Sequence, residues 1–198
     1  MKILLDNGHG PDTPGKHSPD GALREYACNR LIARQIAERL QSLGYEATLI
    51  VPEDTDIPLP ERCRRVNDIC RPYGKDNVIL ISVHINASGN GTQWMTARGW
   101  SAYTTKGNTQ SDQLATCLYK AAEKYLPGHK IRTDSTDGAP DLEENFYILR
   151  HTLCPAVLTE NLFMDNPKDC RFLLSKEGQE AIVNLHIEGT CKYLKMTG

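Results

Sequence analysis

The stretch Asn77 to Ile85, NVILISVHI, is almost unbroken in apolar side chains. Such a run is the signature of a strand buried on both faces, and strands of that kind belong to parallel sheets covered by helices on either side. It delivers His84 to its carboxyl end, where Asn86, Ala87 and Ser88 follow. The start of the chain repeats the device. Ile3, Leu4 and Leu5 stop at Asp6-Asn7-Gly8-His9-Gly10-Pro11, so a glycine-flanked loop holds His9 where a first strand ends. In open α/β sheets that edge is where ligands bind.

The remaining segments alternate in the same way. Leu23, Tyr26, Ala27, Ile32, Ile36, Leu40 and Leu43 recur at helical spacing, which predicts a helix over about 21–43, with Asp20 as N-cap and Gly44 closing it. Glu25 then lies in its first or second turn, nearest the His9 loop. Residues 46–51 read as a strand, and a proline-rich linker from Pro52 to Pro60 leads to a helix at roughly 60–71. Its Arg62, Arg64, Arg65 and Asp68 read as a solvated face. After a polar loop carrying Trp94, residues 99–105 alternate like an edge strand, and 109–126 form a helix. Residues 127–145 show no periodicity, and long loops of this kind are often functional. A short strand is expected at 146–149 (FYIL), and another at 155–163 with Glu160 and Asn161 at its far end. Asp165-Asn166-Pro167 opens a short helix, and 176–195 make the last one. The expected fold is α/β: one domain over 1–198, with a mixed, mostly parallel twisted sheet and helices on both faces.

Composition narrows the function. A net charge of -2 gives no electrostatic case for nucleic acid or an anionic membrane surface, and no apolar run is long enough to span a bilayer. The first residues reach Asp6 before a signal-peptide core can form, so the expectation is either synthesis in the cytoplasm followed by release, or a leader already removed. Seven scattered cysteines without a CxxC pair make neither a disulfide framework nor a zinc knuckle, which fits a reducing compartment. A monomer is expected.

Four residues are predicted to meet at one sheet edge: His9, Glu25, His84 and Glu160. Two histidines and a carboxylate are a ligand set for catalytic zinc, and a further carboxylate beside them can serve as general base and then acid. Glu160 suits that task because it interrupts an otherwise apolar strand. Each also has a plainer use. His9 could cap a turn, Glu25 could be a capping carboxylate, His84 a satisfied core histidine, and Glu160 a partner for Arg150. Of the other histidines, His17 reads as a solvated loop residue, His151 as a possible substrate contact, and His129 and His186 as surface or helix residues. Trp100 reads as core, and Trp94 as a candidate sugar platform.

The segments LLDNGHG, GALREYACNRLIARQIAERLQSLGY, ILISVHINAS and ILRHTLCPAVLTENLFMDNPKD follow one another in an order that resembles the zinc-dependent N-acetylmuramoyl-L-alanine amidases of the amidase-3 family. The resemblance implies that His9, Glu25 and His84 bind Zn2+ and that Glu160 is the catalytic carboxylate. The reaction it implies is cleavage of the amide between N-acetylmuramic acid and the L-alanine of the stem peptide, with peptidoglycan as the partner and the cell wall as the place of action. Asn161 stands where the family usually has glycine. No insertion is long enough for an autoinhibitory helix, and no wall-binding module is evident. A prophage endolysin and a secreted housekeeping amidase both fit. The alternatives are a non-catalytic peptidoglycan-binding domain of the same fold and a zinc carboxypeptidase acting on cell-wall peptides.

Overall fold

Side-chain alternation along the strands sets the layers. The computed structural model describes residues 1–136 and 138–197; Asp137, within the long loop, and Gly198 lie outside the described residues. In β1 (Lys2–Asn7), Ile3 and Leu5 enter one apolar layer and Leu4 the other. In β3 (Val78–Asn86), Ile79, Ile81 and Val83 join the first layer, while Val78 and Leu80 join the second. The first layer is closed by α1 (Glu25–Ser42), α3 (Gln110–Tyr125), α5 (Pro167–Leu174) and α6 (Lys176–Thr197). The second is closed by α2 (Leu59–Tyr73) and α4 (Tyr147–His151). This is the expected sheet with both faces covered.

The six strands run in the order β2 (Glu46–Leu49), β1, β3, β6 (Ala156–Phe163), β4 (Ser101–Thr104), β5 (Leu142–Glu143). Neighbours are parallel except β4 against β6. From β1 the chain turns outward to β2 and returns on the other side as β3. A topological switch point therefore lies between β1 and β3, where open α/β sheets bind ligands.

Several expectations are corrected. The first helix begins at Glu25, with Arg24 as a cap that makes no side-chain bond. Asp20 instead closes a turn, accepting from Ser18 Oγ at 2.6 Å and Ala22 N at 3.1 Å. Gly44 ends the helix as expected, in the left-handed region at φ 87°. The 99–105 segment is not the edge: β5 pairs outside it, and Trp100 and Ala102 are fully buried. The FYIL segment is helical, because Ile148 and Leu149 share one buried face in the layer closed by α2 and α4 and Arg150 N bonds back to Phe146 O. The strand pairing expected there falls at Leu142–Glu143. Arg62 is not on a solvated face, and His186 is fully buried.

Candidate active site

The GHG loop is shaped by its neighbours. Gly8 lies against the His84 ring so closely that any side chain there would collide with it, and Gly10 has the same relation to the backbone of Asp56. Between them His9 adopts φ 66°, a left-handed conformation that a non-glycine residue holds only when its surroundings impose it. Arg30 does so. Its Nη1 donates to His9 O at 2.8 Å, while Nε and Nη2 donate to the carbonyls of Glu53 and Thr55. The imidazole is thereby aimed before any ligand arrives.

Glu25 enters from the first turn of α1. Its Oε1 lies 3.5 Å from His9 Nε2 and 3.3 Å from His84 Nδ1, and it accepts from Ile85 N at 3.1 Å. One ligand atom from each of the three residues lies within 4.8 Å of the others, and the two rings meet edge to face at 5.0 Å. Burial drives the His9 pKa down to about 4, so its ring is neutral. Burial works against ionisation of Glu25, but hydrogen bonding and charge from His84, with His9, hold it at about 2. For His84, burial is outweighed by Glu25, and its pKa rises. A neutral imidazole and an ionised carboxylate are already in metal-binding form. Glu25 Oε2 is buried without a hydrogen-bond partner. Two nitrogen donors and one oxygen donor fit a zinc ion with a position left open.

Glu160 sits beside this group because β6 pairs with β3 in a register that matches His84 with Glu160. Both line an apolar-walled cavity of about 250 Å³ with Leu59, Phe146 and Tyr147. A second cavity, of about 390 Å³ and lined by Asp56, Leu59 and Arg62, meets the same two histidines. Burial, with the nearby Glu25 charge, pushes the Glu160 pKa up to about 7. A carboxyl that titrates there can accept and return a proton near neutrality. Arg150 does not neutralise it: Arg150 lines a different cavity, and Glu160 Oε2 has no hydrogen-bond partner.

Asn161 holds the two strands in place. Its Nδ2 donates to His84 O at 2.9 Å and Thr159 Oγ1 at 3.1 Å, and its Oδ1 accepts from Trp100 Nε1 at 2.9 Å. His17 turns to Ser18 O, His151 stacks on Tyr147, and His129 faces Asp169. None of these joins the cluster. Trp100 is core, and Trp94 is exposed. Sequence reasoning passed over Asn29, Arg30 and Lys16. Asn29 had a signal: one turn after Glu25 it shares that residue's face, and its Nδ2 donates to Gly8 O and Glu25 Oε1.

Fold and site define a class: an α/β domain whose switch-point edge gathers two imidazoles and a carboxylate that could hold a metal ion. The chain belongs to the N-acetylmuramoyl-L-alanine amidase family (amidase-3), which matches residues 3–192. It is 32% identical to an endolysin of Bacillus phage SPP1 over 98% of this chain and 66% of that one. It is 26% identical to the N-acetylmuramoyl-L-alanine amidase AmiC of Neisseria meningitidis over 97% of this chain and 52% of that one. The chain thus spans between half and two thirds of these relatives' lengths. Among solved structures, an N-acetylmuramoyl-L-alanine amidase from Clostridium difficile 630 superposes with a TM-score of 0.85 at 25% identity, covering 100% of this chain and 98% of that one.

Proposed function

We propose that residues 1–198 form a catalytic domain that hydrolyses the amide between the lactyl group of N-acetylmuramic acid and the L-alanine of the peptidoglycan stem peptide. The observation that carries this reading is the cluster of His9, Glu25 and His84, two of whose members, His9 and His84, line one cavity with Glu160, in a chain of the amidase family. His9, Glu25 and His84 would hold zinc. When bound, zinc polarises the amide carbonyl and lowers the pKa of water. Glu160 takes the proton from the attacking water and returns it to the alanine nitrogen as the C–N bond breaks. Gly8, Arg30 and Asn29 keep His9 and Glu25 in position, so little reorganisation accompanies the reaction. Leu59, Phe146 and Leu158 give the cavity that contains Glu160 apolar walls.

The domain acts as a monomer on the cell wall, and lysis of host walls is the biological setting that the phage relative supports. Purified zinc-loaded protein incubated with peptidoglycan tests the reading. The expected products are released stem peptides beginning with L-alanine. Shortened stems still joined to muramic acid would make it a carboxypeptidase instead. Binding without new ends would leave only a recognition domain.

A further inference from the structure

The cavity that holds Glu160 contains a cation. Lys16 is the single Lys or Arg among the described residues lining it, beside His9, His84 and Glu160. Its Nζ stands 3.7 Å from Glu25 Oε2, beyond hydrogen-bond length, and its side chain is 36% exposed whereas Glu25 is 1% exposed. Glu25 Oε1 makes the close contacts to both imidazoles, so Lys16 stands beside the other oxygen, at the cavity mouth.

The placement is built into the backbone. Lys16 O accepts from Glu25 N at 3.0 Å, the next residue, His17, bridges to Arg24, and Gly15 before it holds φ 70°. The loop is thereby tied to the helix start that carries Glu25, and Lys16 keeps its place relative to the cluster. A lysine serving only as a surface partner would contribute about 0–1 kcal/mol and would need no such anchoring. Here the ammonium shares apolar walls, including Phe146, Ile148 and Leu158, with Glu160, where a charge acts more strongly than in water.

We propose that Lys16 is a further catalytic residue, whose ammonium hydrogen-bonds the scissile carbonyl oxygen and stabilises the negative charge that develops there. This rests on the amidase reading above. Water and Glu160 supply the proton transfers. Removing one donor of this kind lowers kcat by roughly 10²–10³ in enzymes where it has been measured.

Lys16→Met and Lys16→Arg, both zinc-loaded, test the assignment on soluble glycan fragments carrying stem peptides, with bound zinc and thermal stability measured alongside. For Lys16→Met the expected result is a kcat about 100-fold lower, with KM within about threefold and zinc content unchanged. Lys16→Arg should recover at least about tenfold of that loss, since it keeps the charge. A kcat within about threefold of wild type would overturn the proposal, as would a rise confined to KM. Loss of zinc would overturn it in favour of a positioning role toward Glu25, and a kcat loss that arginine leaves untouched would remove charge as the agent. A zinc-loaded wild type that releases no L-alanine ends would fail the amidase reading itself, and the proposal with it.

Discussion

At the scale of single residues, the proposed roles separate holding from reacting. His9, Glu25 and His84 converge on one point, while Glu160 stands beside them across a strand pair. Two substitutions should therefore behave differently. Glu160→Gln keeps volume but cannot take a proton, so bound zinc should stay at wild-type level while kcat falls by about 10²–10⁴. Turnover near wild type would take Glu160 out of the proton path. His84→Ala removes a donor, and metal analysis should find zinc content well below wild type; full occupancy would mean that another group replaces it. Three of these positions stood out in the sequence on local grounds: His84 ends an apolar run, His9 stands in the glycine-flanked loop after another, and Glu160 interrupts a third, whereas Glu25 breaks no local rule and was singled out by its place at a helix start near the His9 loop. Lys16 and Arg30 break no such rule. A lysine in a Gly/Pro loop and an arginine in an amphipathic helix are ordinary in sequence, and only the tertiary hydrogen bonds that fix them reveal their tasks.

At the scale of elements, the long apolar strands β1, β3 and β6 were plain in the sequence, and which helix face is buried was not. Periodicity marks apolar positions, so an arginine on the core side of α2 reads as surface. Arg62 donates to Asp6 Oδ1 at 2.6 Å, Asn7 O at 2.7 Å, Ile57 O at 2.6 Å and Asp56 Oδ1 at 3.0 Å. One guanidinium thus joins the end of β1, the proline-rich linker and α2, and Asp6 in turn accepts from Ser82 Oγ of β3. Arg62→Met would leave Asp6 a buried charge without its partner. Urea denaturation should show a loss of about 3–5 kcal/mol, against less than about 1 kcal/mol for Arg64→Ala on the exposed face of the same helix. Similar losses for the two would mean that Arg62 does no more than a surface charge. The FYIL segment misled for a related reason. Four apolar residues suit a strand or a short buried helix, and the choice fell to packing in the α2 layer, where Ile148 and Leu149 are buried.

At the scale of the whole molecule, a buried chain of hydrogen bonds runs from the last helix to the site. His186 Nδ1 lies 2.7 Å from Ile182 O, so in the neutral ring Nδ1 carries the hydrogen and Nε2 accepts from Thr159 Oγ1 at 2.9 Å. Thr159 accepts from Asn161, which also donates to His84 O. Burial lowers the His186 pKa from 6.5 to about 4, so the folded protein takes up this proton less readily than the unfolded chain does. The sign follows from that difference: the stability tied to neutral His186 is complete above pH 6.5, declines between pH 6.5 and 4, and is gone below. At about 1.4 kcal/mol per pH unit the whole effect is about 3 kcal/mol. Protonation would also make Nε2 a donor and reverse the bond to Thr159, so the chain that steadies Asn161 loses its direction along with its stability. His186→Gln keeps a polar group for Thr159 without the titration. Urea unfolding of both proteins with chelator present, at pH 7.5 and pH 4.5, cancels the titration of His9, His84 and Glu160 between them. Wild type should lose about 2–3 kcal/mol more than the variant on acidification, and equal losses would show that His186 carries no such linkage.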